Sequence, residues 1–291
     1  MKVLNFGSLN LDYVYQVDHF VGPGETLSAV SRAVKPGGKG LNQSVALARA
    51  GARVVHAGCI GEGGDMLKAL LERNGVDTAR LMPVEEMQGH TVIQVDREGE
   101  NCILLYGGSN RCVTPAQIER TLADCDAGDW LVLQNEINGL PAIVDAACAR
   151  GMVIALNPSP CDARLGAVDF GKLSWLLVNE VEAAQITGSA EPGEAWALLH
   201  ARWPRLSLLI TLGGAGSVAF TPEGECARQA AFPAKAVDTT AAGDTYTGYF
   251  IAGLMAGLSL ADCMRRASRA AAISVTRPGA ADSIPTLDEV E

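Results

Sequence analysis

Residues 238–250 read Asp238-Thr239-Thr240-Ala241-Ala242-Gly243-Asp244-Thr245-Tyr246-Thr247-Gly248-Tyr249-Phe250. Backbone N–H groups in the first turn of a helix lack intrahelical partners and lie at the positive end of the helix dipole, so they can bind a phosphate. Ala241, Ala242 and Gly243 would let an anion approach that backbone closely. Asp244, just inside the helix, could then accept a proton from a hydroxyl that attacks the phosphorus. The segment predicts a phosphoryl-transfer site, although the same pattern alone also fits a simple helix cap.

The composition is that of a well-packed globular protein. With 291 residues, 48% hydrophobic and 19% charged, the chain can bury one large core, or one core plus a small subdomain. The formal net charge is −10 and there is no long Lys/Arg run, which argues against nucleic-acid and membrane-surface partners. Eight cysteines without a CxxC pair, and only four histidines, argue against structural zinc. The N-terminus reads as a strand and no apolar run reaches membrane-spanning length, so we expect a cytoplasmic protein.

Short apolar runs alternate with amphipathic segments along most of the chain. The apolar runs predict buried parallel strands at Val3–Gly7, Val54–Ile60, Trp130–Gln134, Val153–Asn157, Trp175–Val178 and Leu208–Leu212. The amphipathic and apolar segments between and after them predict helices at Leu41–Ala50, Met66–Asn74, Pro115–Leu122, Leu140–Arg150, Glu180–Thr187, Gly243–Ala256 and Leu260–Thr276. This alternation predicts an α/β fold with a doubly wound, mainly parallel sheet and helices on both faces.

Two segments depart from the alternation. Residues 12–34 and 90–106 alternate in strand fashion and contain turn signals, including Arg97–Asn101. We interpret them as a small β-sheet lid on a single domain that spans residues 1–291, because there is no linker-like segment and no internal repeat.

A second glycine-rich motif, Pro36-Gly37-Gly38-Lys39-Gly40-Leu41-Asn42-Gln43, opens the first long helix. Its glycines bring backbone close to a ligand, while Lys39 and Asn42 offer hydrogen-bond donors. It lacks the spacing of a P-loop and of the dinucleotide fingerprint. A polyol is therefore the better ligand, although a plain loop before a helix fits the segment equally well.

Further polar residues follow predicted strands at their carboxyl ends. They are Asn10, Asp12, Glu136, the run Asn179–Glu182, whose Glu182 could reach a phosphate or its Mg²⁺, and the glycine turn Thr211–Gly216. Each alone also fits a helix cap or a hairpin. Their convergence on one edge is the stronger argument, because ligands of open α/β sheets bind there.

Together these motifs resemble the ribokinase family of carbohydrate kinases, the PfkB type. The resemblance runs from Gly7 to Ala280 and rests on two specific motifs in order, Gly37–Gln43 and Asp238–Asp244. Supporting matches are Pro23–Thr26, Gly99–Asn101, Asn157–Pro160 and Asn179–Glu182. The resemblance implies a ribokinase-like fold whose lid closes over a sugar, and an ATP-dependent kinase that phosphorylates the sugar's primary hydroxyl.

The resemblance also assigns roles by motif position. It implies that Asp244 is the base and that the N–H groups of Ala241, Ala242, Gly243 and Asp244 form an anion hole. Sugar-binding positions are Asn10, Asp12, Gly38, Lys39, Gly40, Asn42, Glu136 and Asp244. ATP-binding positions are Asn179, Thr211, Leu212, Gly213, Gly214, Ala215, Gly216, Gly243 and Ser268. Positions for a K⁺ ion, several through backbone carbonyls, are Asp238, Thr240, Ser274, Arg277, Gly279 and Ser283.

The choice of sugar is less constrained by the motifs. Ribose is the first expectation because the sugar-binding and anion-hole motifs are all present. Ser268 departs from the family pattern near the adenine, and Leu11 and Tyr106 could reshape the sugar pocket. Alternatives are a kinase for deoxyribose, fructose, 2-keto-3-deoxygluconate, nucleosides or pseudouridine. A sugar-binding protein without catalysis is a further alternative, against which Gly243 and Asp244 argue. The lid segments would also permit a homodimer through the lids.

Overall fold

A computed structural model describes all 291 residues as nine main helices and thirteen strands. The strands are β1 (Val3–Phe6), β2 (Asn10–Gln16), β3 (Ser31–Gly37), β4 (Val54–Glu62), β5 (Asp77–Met87), β6 (His90–Val95), β7 (Asn101–Tyr106), β8 (Trp130–Gln134), β9 (Val153–Asn157), β10 (Trp175–Asn179), β11 (Ser207–Thr211), β12 (Ser217–Phe220) and β13 (Cys226–Gln229). The helices are α1 (Lys39–Arg49), α2 (Asp65–Arg73), α3 (Pro115–Leu122), α4 (Leu140–Ala149), α5 (Glu180–Thr187), α6 (Pro192–Arg202), α7 (Ala242–Met255), α8 (Leu260–Ser274) and α9 (Leu287–Val290). No helix is long and apolar enough to cross a membrane.

Nine strands form the main sheet, in the order β13-β12-β11-β10-β9-β8-β1-β4-β5. The strands from β11 to β5 are parallel to their neighbours, and β12 and β13 add an antiparallel edge. From β1 the chain adds β4 and β5 on one side of the sheet and later β8 and β9 on the other. Ligands of open α/β sheets bind at such a change of strand order, where the carboxyl ends of β1, β8 and β9 leave a crevice.

The core is divided between the two faces of this sheet. Alternate residues of a strand point to opposite faces, so Val3 belongs to one buried cluster of 34 residues and Leu4 to another of 32. Helices α1, α2, α7 and α8 cover the first face, and α3, α4, α5 and α6 cover the second. The doubly wound α/β fold predicted from the alternation is thereby confirmed.

A separate four-stranded sheet has the order β3-β2-β6-β7. It consists of two antiparallel pairs, β2 with β3 and β6 with β7, joined by parallel pairing of β2 with β6. The first pair begins at Asn10 and ends at Gly37, so it extends beyond the predicted limits of 12 and 34. The second pair agrees with the prediction of 90–106.

All six predicted strands and all seven predicted helices are present, with ends that differ by at most two residues. The sequence prediction missed β5, β12, β13, α6 and α9. Strand β5 lies at the edge of the main sheet, and its short apolar run Leu81–Val84 contains a proline and is flanked by charged residues, which weakens the strand pattern. Helix α6 buries only Ala195 and Leu199, which is too little to produce a clear amphipathic pattern.

The packing of α1 against α7 brings two helix N-termini together at the crevice. Gly248 of α7 lies directly on α1: a Cβ atom at this position would be 2.4 Å from Cβ of Ala46 and 2.8 Å from the backbone nitrogen of Leu47. Real Cβ contacts are not that short, so only glycine allows this crossing.

We therefore expect Gly248→Ala to force α1 and α7 apart and to lower the free energy of unfolding by about 1–3 kcal/mol. Urea denaturation followed by circular dichroism measures the effect. Gly166→Ala is the matched control, because a Cβ atom there meets no atom within 4 Å. An unchanged denaturation midpoint for Gly248→Ala would contradict this account of the packing.

Candidate active site

Two cavities meet at the N-terminus of α7. The outer cavity, of about 730 Å³, lies between the small sheet and the carboxyl edge of the main sheet. The inner cavity, of about 250 Å³, lies over the ends of β9, β10 and β11. Lys39, Thr239, Ala241 and Asp244 line both cavities. A group that moves from one cavity to the other must therefore pass these four residues.

The backbone at the start of α7 is arranged to bind an anion. Ala241 has φ 61° and ψ 10°, and it is the only non-glycine residue with a positive φ. This left-handed conformation costs about 1 kcal/mol. The N–H groups of Ala241, Gly243 and Asp244 have no acceptor within the protein, whereas that of Ala242 donates to the Thr239 carbonyl at 3.2 Å. Three of the four predicted anion-hole donors are thus free.

The Asp244 carboxylate is buried, with 6% exposure, and is held by the first turn of α1. Asn42 Nδ2 donates to Oδ2 at 3.0 Å and Gln43 Nε2 donates to Oδ1 at 2.9 Å. Asn42 Oδ1 is buried without a donor and its residue lines the outer cavity. This oxygen is therefore available to accept a hydrogen bond from a ligand hydroxyl.

Lys39 is the cation at the boundary between the cavities. Burial acts to lower the pKa of Lys39, but Asp244, Glu136 and Glu182 outweigh it, so the pKa is raised. The ammonium group therefore stays charged, and it supplies positive potential beside the free N–H groups of α7.

Two acids line the outer cavity at a distance from the α7 terminus. Glu136 Oε2 accepts hydrogen bonds from Ser8 Oγ at 2.5 Å and from the Lys39 backbone N–H at 3.0 Å. Asp12 Oδ1 accepts from Thr91 Oγ1 at 2.6 Å. Burial raises the pKa of Asp12 to about 6, with a further contribution from Glu136, and burial also raises the pKa of Glu136. Both carboxyls are therefore positioned to accept from ligand hydroxyls.

Four residues that support these groups were absent from the predicted site. Asn110 donates to Asn10 Oδ1 at 2.7 Å, so the amide nitrogen of Asn10 faces away from Asn110. Thr91 and Ser8 support Asp12 and Glu136, and Gln43 supports Asp244. Gln43 lies in the glycine-rich motif, but nothing in the sequence marks the other three.

Only some of the predicted nucleotide-binding residues line the inner cavity. Asn179 and Glu182 line it and form a reciprocal capping box at the start of α5, with bonds of 2.8 and 3.0 Å. Thr211 also lines it, and the following turn, residues 212–216, connects β11 to antiparallel β12 as a hairpin. Ser268 is buried on α8, where its hydroxyl donates to the Ala230 carbonyl at 3.3 Å. Ser268 does not line the cavity.

The predicted cation positions lie where residues 238–241 meet residues 277–283. Asp238 joins the two segments, since its carboxylate accepts from the N–H groups of Thr240 and Gly279, each at 2.9 Å. Burial acts against ionisation, but these bonds outweigh it and lower the pKa of Asp238. The carbonyl oxygens of Asp238, Thr240, Arg277 and Gly279 have no donor within the protein, and carbonyl oxygens are suitable K⁺ ligands.

The remaining positions of that set have partners elsewhere. The hydroxyls of Ser274 and Ser283 donate to the carbonyls of Ala271 and Ala280, and the Arg277 guanidinium pairs with Glu289 at 2.6 Å. No group of three His, Cys, Asp or Glu side chains is placed to hold a metal ion. A Mg²⁺ ion here would depend on phosphate oxygens and water, with Glu182 and Asp244 as the carboxylates that line the inner cavity.

Comparison with known proteins agrees with this geometry. The family model for pfkB family carbohydrate kinases matches residues 1–287. The chain belongs to the PfkB family of carbohydrate kinases. A ribokinase from Haemophilus influenzae is 36% identical over 297 residues, which covers 97% of this chain and 95% of that protein.

Two solved structures extend the similarity to three dimensions. A ribokinase from Cryptococcus neoformans in complex with ADP is 36% identical, with a TM-score of 0.85 and coverage of 99% of this chain and 98% of that one. A ribokinase from Arabidopsis thaliana complexed with ribose and ATP is 27% identical, with a TM-score of 0.88 and coverage of 99% and 97%. The ribokinase-like fold and the sugar phosphotransferase class of this PfkB-family chain are therefore established.

Three expectations about individual residues need correction in this PfkB-family chain. Tyr106 lies on the face of the small sheet opposite the outer cavity, against His90 and Glu86, while Leu105 lines the cavity. Leu11 alternates with Asn10 and Asp12 and packs into the main core, so it does not shape the cavity. Gly40 lines neither cavity; it packs on Ser8, whose backbone nitrogen would be 2.2 Å from an added Cβ atom.

The raised pKa of Asp12 predicts that this carboxylate destabilises the ligand-free fold. Asp12 has a pKa of about 6 in the folded protein, against an ordinary pKa of 3.8 for an aspartate side chain. We expect Asp12→Asn to raise the free energy of unfolding by ~1–2 kcal/mol above pH 6, where the folded protein holds the charge at a cost. Between pH 6 and 4 Asp12 takes up a proton in the folded wild type but stays ionised in the unfolded chain. The difference in free energy of unfolding between Asp12→Asn and the wild type should therefore shrink as the pH falls.

Thermal or urea denaturation of both proteins between pH 4 and 8 measures this difference. A destabilised Asp12→Asn variant at pH 7–8, or a difference that grows as the pH falls, would contradict the prediction.

Proposed function

We propose that this carbohydrate kinase transfers the γ-phosphoryl group of ATP to the primary hydroxyl of D-ribose, giving ribose 5-phosphate and ADP. The observation that carries the proposal is the position of Asp244 at the junction of the two cavities. The outer cavity is lined by hydrogen-bonding groups suited to a polyol, and the inner one leads to the free N–H groups of α7. The ribose and ATP held by the Arabidopsis relative support this choice of ligands.

Asp244 acts as the base. With ribose in the outer cavity, its carboxylate accepts the proton of the attacking hydroxyl while the new O–P bond forms and the bond to ADP breaks. Asn42 and Gln43 orient the carboxylate toward the junction. The free N–H groups of Ala241, Gly243 and Asp244 stabilise charge on the transferred group, because they are already fixed before the reaction.

The sugar is held by residues away from the base. Asn10, Asp12, Glu136 and the unpartnered Oδ1 of Asn42 offer hydrogen bonds to ring hydroxyls, with Lys39 beside them and Gly38 leaving space in the wall. The small sheet acts as a lid that excludes water from the transferred phosphoryl group.

ATP and two cations complete the reaction. The nucleotide is held by Asn179, Thr211 and Gly243 of the inner cavity and by the turn at residues 212–216. Glu182 of the inner cavity would help to hold Mg²⁺, which would supply positive charge to the phosphates. The free carbonyl oxygens of Asp238, Thr240, Arg277 and Gly279 would hold K⁺, which would fix the backbone that precedes the anion hole.

Loss of the base should lower turnover far more than sugar binding. We expect Asp244→Asn to reduce kcat by ~100-fold or more, while the dissociation constant for ribose changes little. ADP release and isothermal titration with ribose measure the two quantities. Asp65→Asn is the matched control, since Asp65 also lies in the first turn of a helix, α2, outside both cavities. Turnover near that of the wild type in Asp244→Asn would refute the assignment.

A substrate panel tests the choice of sugar. ADP release is compared for ribose, deoxyribose, fructose, 2-keto-3-deoxygluconate, nucleosides and pseudouridine, with and without K⁺. We expect the highest kcat/KM for ribose and a loss of activity without K⁺. A higher kcat/KM for another acceptor would replace ribose, and no ADP release with any acceptor would favour a non-catalytic sugar-binding protein.

The outer face of the small sheet is suited to pairing two copies of the chain. Leu104 is 72% exposed and Tyr106 49% exposed on β7, an edge strand without a partner on one side. Exposed apolar side chains on an unpaired edge favour association. We propose a homodimer through the small sheets, which a stable monomer in sedimentation velocity at micromolar concentration would refute.

A further inference from the structure

A row of buried polar side chains crosses the main sheet beneath α1. His56 on β4, Asn5 on β1 and Gln134 on β8 point toward α1, where they meet Ser44 and Gln43. All five residues have 0% exposure. Gln43 lies at one end of this row and donates to Asp244. The three amides Asn5, Gln134 and Gln43 are called the amide row below.

A backbone carbonyl fixes the orientation of each amide in the row, and Gln134 Nε2 donates to both of its neighbours. Asn5 Nδ2 donates to the Gly40 carbonyl at 2.7 Å, and because a carbonyl can only accept, Asn5 Oδ1 must face Gln134. Gln134 Nε2 then donates to Asn5 Oδ1 at 2.9 Å and to Gln43 Oε1 at 2.7 Å. The oxygen of Gln43 is thereby fixed, and its nitrogen must face Asp244.

A second backbone carbonyl fixes the same orientation from the other side. Asn157 Nδ2 donates to the Leu177 carbonyl at 2.9 Å, so Asn157 Oδ1 faces Gln43 and accepts from Nε2 at 3.1 Å. Both hydrogens of Gln43 Nε2 are then used, one on Asn157 and one on Asp244. A reversed Gln43 amide would place its oxygen against two acceptors.

The far end of the row is closed by a neutral histidine. Asn5 Nδ2 also donates to Ser44 Oγ at 2.7 Å, so the Ser44 hydroxyl donates to His56 Nδ1, 2.7 Å away. Burial lowers the pKa of His56 to about 3, which keeps Nδ1 free to accept. Each hydrogen bond from His56 to Asp244 therefore has a defined donor and acceptor.

Such a row is costly for stability alone. Gln134 Oε1 is buried without a donor, and buried polar groups contribute less to stability than apolar side chains unless every one is paired. The row does, however, hold the Gln43 amide in a single orientation, with its Nε2 donating to Asp244 Oδ1.

We propose that Asn5 and Gln134 are positioning residues that act through Gln43 to hold the Asp244 carboxylate in its reactive orientation. The proposal rests on the proposed role of Asp244 as the base. Gln134 does not contact Asp244, so any effect of Gln134 on turnover must pass through Gln43.

A double-mutant cycle tests this dependence. Gln43→Met should lower kcat about 10- to 100-fold, because it removes a hydrogen bond to a charged group. Gln134→Met should lower kcat about 3- to 10-fold, because it removes one of the two constraints on the Gln43 amide, while the one from Asn157 remains. The double variant should match Gln43→Met within about threefold, since the two residues act in series. KM for ribose and ATP, and the ribose dissociation constant from calorimetry without nucleotide, should change less than about threefold.

Gln134→Glu tests whether Gln134 sets the orientation of the Gln43 amide. Its carboxylate would face the oxygens of Asn5 and Gln43, and repulsion would turn the Gln43 oxygen toward Asp244. We expect kcat at least about 10-fold below that of Gln134→Met. Gln117→Glu is the matched control: Gln117 is 1% exposed and donates to the Gly58 carbonyl, outside the row and both cavities. Its kcat should stay within about threefold of the wild type.

The outcomes separate this proposal from the proposed function. Two results would refute the positioning role while the kinase assignment stands, provided that the wild type phosphorylates a sugar. One is that the effects of Gln43→Met and Gln134→Met on kcat multiply in the double variant. The other is that kcat of Gln134→Met equals that of the wild type. If the wild type releases no ADP with any sugar of the panel, the proposed function itself fails. Should Gln134→Glu not fold, as judged by thermal melting, the Met cycle decides.

Discussion

The site depends on one constraint: the first turns of α1 and α7 must meet so that each oxygen of the buried Asp244 carboxylate has a hydrogen-bond donor. An ionised Asp244 at 6% exposure would be unstable without partners. Asn42 and Gln43 supply two amide donors from α1, and Lys39 adds positive charge. The contact of Gly248 with Ala46 permits the crossing that brings these groups together. Both cavities open on this junction, so the same packing that stabilises the core also places the base between sugar and nucleotide.

Several features around the junction reduce stability, and each has a functional counterpart. Ala241 adopts a left-handed conformation that leaves three N–H groups free for an anion. Asp12 keeps a carboxyl in a cavity where burial opposes its charge. The amide row keeps polar side chains beneath α1 where apolar ones would pack. Proteins retain such features where a ligand or a reaction compensates for them.

Much of the architecture follows from local patterns. Apolar runs such as Val153–Asn157 can only be buried on both faces, so they predict parallel strands under helices. The edge strands β5 and β13 escaped prediction, because an edge position tolerates charge and needs no apolar run, and β12 escaped because it has only four residues. Tyr106 was misjudged for a related reason: in a strand, a shift of one residue moves a side chain to the other face, and only the register of β6 with β7 fixes which face is inside.

The sequence by itself determined the fold class, the family and the residues that line the junction, because glycine motifs, helix starts and strand ends are local signals. Asp244, Lys39 and Asn42 could be named from their motifs alone. Only the tertiary structure decided what holds them. Thr91, Asn110, Ser8 and the amide row act through hydrogen bonds between residues distant in the chain; Gln43 and Gln134 are 91 positions apart. Such partners are set by strand order and helix packing, which no single segment encodes.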